Sequence, residues 1–266
     1  MKATAGSAPR NVTTTLRRTF YDRLHLLSAG DRQDREEEAA LVAFVREHGL
    51  ANRRVLEEGS GRGHFQHLSA GWVGHDYSTT AAGFASRPFA ADVFDAVWSI
   101  AVLERGPEPE VALREIPRVL KPGGVAYLAP AWHCRSWAAE GLTVRPLADL
   151  TWRQCLTKLS IPVRDSLVLR GLGALPVRFV AEVASAVRRG PRSFHYKRLR
   201  PNYETDWCAA ADACNSMDPH DTLLWFLSRG CCSPSHRSLL RRCRVRHGGI
   251  IIRTADRAGR GRRGAP

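Results

Sequence analysis

No stretch of the 266 residues approaches the roughly 18 consecutive apolar positions that a membrane-spanning helix needs. Met1 to Val12 is polar and lacks the apolar centre of a secretory leader, so the expectation is a cytoplasmic protein. Cysteine occurs seven times, an odd number, and nowhere as C-x-x-C. A disulfide framework or a zinc ribbon is therefore excluded as the organising element. Cys208, Cys214, His220, Cys231 and Cys232 follow no metal-ligand spacing, and free thiols with no bound metal are expected. Lysine is scarce as well, at 4 of the 40 basic residues. Net charge is missing from one half of the chain. Residues 1–150 hold 18 basic and 18 acidic residues, whereas 151–266 hold 22 and 8, so the whole surplus of +14 lies in the second half. Such a surplus fits an anionic partner, and it equally fits compositional drift toward arginine.

What is present is ordinary for a folded chain: 44% apolar and 25% charged residues. The length suffices for one large α/β domain, or a domain with an appendage. Arg35 to His48 has helical apolar spacing through Ala39, Leu41, Val42 and Val45, and stops at Gly49. Strand character follows from Arg54 to Glu57, then the cluster Gly59-Ser60-Gly61-Arg62-Gly63. A short helix is expected over Phe65 to Ser69, and a second strand over Gly71 to Asp76. Phe94 to Ile100 is a third strand. Glu110 to Leu120 is helical in spacing, Lys121 to Gly124 a turn, and Val125 to Leu128 a further strand. Alternation of this kind implies right-handed βαβ units and a mostly parallel, doubly wound α/β sheet. Beyond Ala131 the rhythm breaks. Leu167 to Arg189 is expected to be helical with an interruption at Pro176, Thr222 to Ser228 a short helix, and 249–253 the last strand of the sheet. The organisation expected is an N-terminal segment (1–34), a core (35–130), a substrate-facing lid region (131–254) and a disordered Arg/Gly tail (255–266).

A strand ending in an acidic residue, then G-x-G-x-G, then a strand ending in Asp, is a nucleotide-binding arrangement. Glycines permit the tight turn and the close approach of backbone to ligand, and the segment behind offers unpaired N–H groups. A NAD-binding fold would instead present G-x-G-x-x-G, which Gly59, Gly61 and Gly63 do not match. Val55-Leu56-Glu57-Glu58-Gly59-Ser60-Gly61-Arg62-Gly63 resembles the first motif of class I S-adenosylmethionine-dependent methyltransferases, and Val73 to Ser78 resembles the second. Phe94 to Ser99, Val102-Leu103-Glu104, Pro107-Glu108-Pro109 and Arg118 to Gly124 are similar to the family's later strand, loop, helix and turn. The resemblance covers about 53 to 130.

It implies S-adenosyl-L-methionine as cofactor and a Rossmann-like methyltransferase fold. Glu57, Gly59, Ser60, Gly61 and Gly63 would face the methionine part. Asp76 would bind the ribose, Tyr77 would pack on adenine, and Ser99 and Ile100 would line the sulfonium pocket. Asp92 is the one acidic candidate for the adenine loop. The implied reaction is methyl transfer to a small-molecule, sugar or lipid-linked acceptor.

Four departures from the family pattern carry expectations. Only 18 residues separate Asp76 from Asp95, against roughly 30 for a complete βαβ unit, so a shortened sheet edge is expected. Glu58 stands where an apolar strand residue is usual, and a carboxylate buried there would be costly. Arg105 stands where the family often has His. Pro117 lies inside a helix and removes a hydrogen bond to Leu113.

In the second half, Pro130 to Trp137 should border the active site, and His133 and His220 are candidate general bases. Asp-Pro-His-Asp at 218–221 reads equally as a helix N-cap. The basic segment Leu167–Arg189 fits either peripheral membrane contact or a solvated helix on the sheet. The rival to an enzyme is a decayed methyltransferase-fold module binding RNA or another polyanion. The lack of an aromatic-interleaved basic stripe argues against nucleic acid.

Overall fold

The computed structural model describes residue 19 and residues 32–61, 63–75, 89–164, 166–188, 190–205 and 210–256. Asp76, Tyr77, Cys208, the stretch expected to hold the shortened sheet edge and the tail after Asp256 lie outside these residues.

The frame is a five-stranded sheet in the order β2-β1-β3-β4-β7. β1 (Arg54–Glu58), β2 (Gly71–His75), β3 (Phe94–Ile100) and β4 (Leu120–Ala129) are parallel, and β7 (Ile250–Arg253) runs antiparallel against β4. β3 reads as a nearly continuous apolar run because both of its faces are covered. Alternate residues divide between two layers. Val55, Ala96, Trp98, Val125 and Tyr127 pack beneath Leu41, Phe44 and Val45 of α1 (Arg32–Glu47). Leu56, Val97, Ala126, Leu128, Ile250 and Ile252 form the other core, with Leu113 and Ile116 of α2 (Pro109–Val119). This is the mostly parallel, Rossmann-like α/β fold that the alternation predicts.

The expected turn at Lys121–Gly124 is a bulge inside β4. Phe94 pairs with Leu120 and Ala96 with Val125, so β4 advances five residues while β3 advances two. Gly123 sits at φ +74° within it. Pro117 is accommodated two residues before the end of α2, where Leu120 N–H still closes on Ile116 O. The short helix expected over Phe65 to Ser69 is a 3₁₀ turn, Gln66–Leu68.

Helices dominate the second half: α3 (Ser136–Ala139), α4 (Trp152–Arg164), α5 (Leu167–Val187), α6 (Pro219–Leu227) and α7 (Leu239–Arg244). A two-stranded antiparallel sheet, β5 (Tyr196–Arg198) with β6 (Asn215–Met217), lies between α5 and α6 in the sequence. α5 runs through Pro176 without the expected interruption, and Pro176 is exposed. α6 starts three residues earlier than its apolar spacing suggests. Asp218 caps it by accepting His220 N–H at 2.7 Å, and Pro219 occupies the first turn, where a missing N–H is harmless.

Candidate functional site

The glycine cluster closes the carboxyl end of β1. Gly59, Gly61 and Gly63 have φ of +70°, +49° and +74°, the left-handed region that side-chain-bearing residues avoid. Gly59 and Ser60 donate to His75 O at 2.7 and 3.3 Å, which holds the turn to the end of β2. Gly63 N–H donates to Ser60 O at 2.7 Å. A Cβ on Gly59 would stand 2.1 Å from Val102 Cγ2, so the turn also abuts the loop that leaves β3.

Glu57 lies beneath this turn, buried, with one carboxylate oxygen accepting Trp72 Nε1–H at 2.7 Å. Burial pushes its pKa up to about 7, and the indole hydrogen bond offsets this only in part. Ser99 and Ile100 end the neighbouring strand, Ser99 opposite Glu58 in the register. Ile100 shares the layer of Glu57, and Ser99 points into the opposite one. The fold thus gathers Glu57, Gly59, Ser60, Gly61, Gly63, Ser99 and Ile100 at the carboxyl ends of β1 and β3, where ligands bind in open α/β sheets. The turn offers a backbone that admits close approach, beside a carboxylate that has no ion pair among the described residues, and the methionine end of a nucleotide cofactor would fit there.

Asp92 is not among them. It precedes β3, has φ +59°, and its N–H donates to Arg118 O at 3.0 Å, so it sits at the amino end of the sheet. The adenine contact expected of it fails because the parallel strand lies between it and the turn.

His133 is in the loop after β4, at φ +57°, with its N–H on Met217 O at 2.9 Å. His220 is elsewhere. It is buried on α6, with Nε2 3.3 Å from Glu182 Oε1 of α5. As a general base beside the cofactor turn it is a correction: the N-terminal turn of α6 points it into the helical layer. Glu182 takes both Nε and a terminal nitrogen of Arg242, at 2.8 and 2.9 Å. Burial would raise the Glu182 pKa, but the hydrogen bonds from His220 and Arg242 bring it down to about 2. Cys243 completes a set of three ligand-type atoms within 4.8 Å of one another. With both carboxylate oxygens on Arg242, and Arg178 on the carbonyls of Cys243 and Val245, the set is a salt-bridged clamp between α5, α6 and α7.

A second buried carboxylate, Glu104, lies in the loop after β3. Burial pushes its pKa up to about 7, opposed by the charge of Arg105. Arg105 reaches Asp212 at 3.1 Å, and Asn215 Nδ2 donates to the carbonyls of Leu103 and Gly106. Arg105, a departure at the level of sequence, thus fastens the loop to the segment that precedes β6.

A cavity of about 800 Å³ opens beside Ala101, the residue between Ile100 and Val102. Its walls come from α1 (Glu36, Glu37), from β4 and the loop beyond (Tyr127, Trp132), and from the approach to β7 (His247). Trp132 Nε1–H donates to Gly248 O at 2.8 Å and ties two of these walls together. Gly249 is needed there, since a Cβ would lie 2.3 Å from the Tyr127 ring. Trp132 falls in the stretch expected to border the active site, whereas Glu36, Glu37, Tyr127 and His247 escaped the sequence reading. The acidic run Glu36-Glu37-Glu38 in the first helix and the pair Gly248-Gly249 before the last strand were the only signals for these.

Residues 56–128 match the family model described as a methyltransferase domain. Among solved structures, the chain is similar to 1,6-didemethyltoxoflavin-N1-methyltransferase of Burkholderia thailandensis, a structure with bound 1,6-didemethyltoxoflavin and S-adenosylhomocysteine. The match has 12% identity and a TM-score of 0.50, and covers 96% of this chain and 94% of that one. At that identity the likeness speaks for the fold. The YcgJ protein of Bacillus subtilis matches at 20% identity over 37% of this chain and 51% of its own, with a TM-score of 0.31. A possible histamine N-methyltransferase of Thermotoga maritima matches at 21% over 43% and 59%, with a TM-score of 0.32. The chain spans between half and three-fifths of the length of these last two structures. No helix among the described residues is long and apolar enough to cross a membrane.

Proposed function

We propose that the chain is an S-adenosylmethionine-dependent methyltransferase whose acceptor is a small molecule seated in the cavity between α1, β4 and the approach to β7. One observation carries this reading. The glycine turn touches Val102, and Ala101, the residue before it, lines the cavity, so a cofactor on the turn and an acceptor in the cavity would meet at the end of β3. S-adenosylmethionine supplies a methyl group on a positively charged sulfur and leaves as a neutral thioether.

The protein's own part is alignment and the disposal of one proton. Glu57 and the turn hold the methionine end, with Asp76 and Tyr77 proposed for the ribose and adenine. Ser99 and Ile100 border the sulfonium. Glu36 and Glu37 stand on the cavity wall, where a carboxylate can take the proton that an amine or hydroxyl nucleophile releases as the new bond to carbon forms. His133, in the adjoining loop, is a second candidate for that proton. Holding nucleophile, carbon and sulfur in line is the main source of acceleration in such a transfer.

Calorimetric titration with S-adenosylmethionine and S-adenosylhomocysteine tests the cofactor half, with Asp76→Ala expected to weaken both. Absence of binding in a cooperatively folded protein would overturn the reading and leave the fold without methyl transfer. For the acceptor half, Ala40→Leu, at an exposed position of α1 that lines the cavity, should narrow the cavity while leaving cofactor affinity in place.

A further inference from the structure

The surface of the second half inverts the usual arrangement of an amphipathic helix, in which charge faces water. Between Gly173 and Val187 of α5 the only charged residues are Arg178 and Glu182, and both are buried. The exposed side carries Val177, Phe179, Val180 and Val187, the last 79% exposed. α4 packs against α5 and adds a second stripe, Trp152, Leu156, Leu159 and Val163, spaced four, three and four residues apart and each at least 60% exposed. That spacing puts all four side chains on one line along the helix. Contiguous exposed apolar surface of this kind marks an interaction site.

The rim identifies the partner. α4 contains Arg153, Lys158 and Arg164 and no acidic residue. Arg188 follows α5 and is exposed, and α7, which also packs against α5, presents Leu239 and Leu240 beside Arg241 and Arg244. The Arg153 guanidinium lies 5.2 Å from the centroid of the Trp152 ring, so an aromatic ring and a cation share the edge of the stripe. From this surface we infer that the α4–α5 face docks on an anionic phospholipid bilayer, as a peripheral surface.

The apolar stripes enter the headgroup boundary, and the flanking arginines meet lipid phosphates, the pattern that drives interfacial helices onto membranes. Two copies of the chain meeting face to face would bring these cationic rims together, and like charges in apposition disfavour that occupant. The surface accounts for part of the basic surplus of the second half. It is independent of the identity of the methyl acceptor.

Vesicle flotation of the full chain decides the matter, with phosphatidylcholine vesicles compared with vesicles that also contain phosphatidylglycerol. Recovery with the anionic vesicles only, falling as salt rises, is the expected result. The double variant Val177→Asp/Val180→Asp should lose at least ten-fold in partitioning, with an unchanged thermal transition because both sites are exposed. Arg153→Gln and Arg164→Gln should each weaken partitioning about five-fold, the ~1 kcal/mol that a basic residue gains near an anionic surface. These variants decide the outcome if the double variant fails to fold. Equal recovery with neutral vesicles, no recovery with either, or no effect of the arginine changes would overturn the inference. So would a dimer in sedimentation velocity that dissociates in the double variant, which would assign the face to a second copy.

Discussion

Glu57 of the sheet and Glu182 of the helical layer are both buried, and they are held by opposite means. Glu57, under the glycine turn, has an indole N–H at 2.7 Å and a pKa pushed up to about 7. Glu182, between α5 and α7, has a two-point guanidinium contact and a pKa brought down to about 2. A carboxylate beside a guanidinium stays ionised and fastens elements together. A carboxylate beside an indole is poised to change its protonation with a nearby charge, which suits the site proposed above for a cationic sulfur. One region uses its buried acid as a rivet, and the other holds the acid proposed as part of the site.

The largest expected effect breaks the rivet. Glu182→Leu leaves Arg242 without its partner and should cost about 3–5 kcal/mol in urea unfolding, the usual result of removing one member of a buried pair. Arg114→Ala removes an exposed pair with Glu110 on α2 and should cost less than about 1 kcal/mol. Similar values for the two would show that α5 and α7 are held by apolar packing instead.

Next in size is the dependence of stability on pH, where the two glutamates predict slopes of opposite sign. The folded-state pKa of Glu57 and of Glu104 lies above the ordinary 4.5, so the folded state holds more protons from there to about 7. The stability tied to them is full below pH 4.5 and is lost as the pH rises through 7, by roughly 3 kcal/mol for a shift of this size. Glu182 behaves in reverse: its contribution is present above pH 4.5 and lost as the pH falls toward 2. Denaturant unfolding at a series of pH values should therefore show a maximum on the acid side of neutrality. In Glu182→Leu the acid limb should flatten and the neutral limb persist.

Much of this contrast could be read from the residues, and the part that could not has a physical reason. The glycine turn, Glu57 and the third strand were legible because their spacing and their position relative to strands are local properties. Asp92 precedes the third strand by two residues, which already puts it at the amino end of a parallel sheet, and the sequence reading passed over that. His220 looked like a base in a polar stretch, yet its partner Glu182 is 38 residues away in the chain. The cavity wall joins Glu36 to His247, a convergence that no local pattern announces. β5 and β6, of three residues each, are too short for alternation to register.

Third in size is the turn itself. Gly59→Ala places a Cβ 2.1 Å from Val102 Cγ2 and forces alanine to φ +70°, and together these should cost about 2–3 kcal/mol. Val102→Ala in the same chain should recover the steric share and leave the backbone share. No recovery would mean that the turn is set by its φ values alone, and that its contact with the loop after β3 is incidental.

The smallest effect sharpens the comparison most, because it alters one partner of Glu57 and nothing of its burial. Trp72→Phe keeps an aromatic ring against Gly63 and Gly74 and deletes the Nε1–H donor. A hydrogen bond to a charged group contributes roughly 1.5–3 kcal/mol, and it does so only while the acceptor is ionised. At pH 5, where Glu57 is already protonated in the folded state, the substitution should therefore be close to neutral. At pH 8 the variant must either bury a carboxylate without that donor or keep its proton, so the loss should emerge and the Glu57 pKa should move further upward. Binding of S-adenosylhomocysteine followed over the same range would then shift its pH midpoint with the pKa of Glu57. An equal penalty at both pH values would mean that the indole N–H matters to packing and not to charge, and the sheet's glutamate would lose its distinction from the helical layer's.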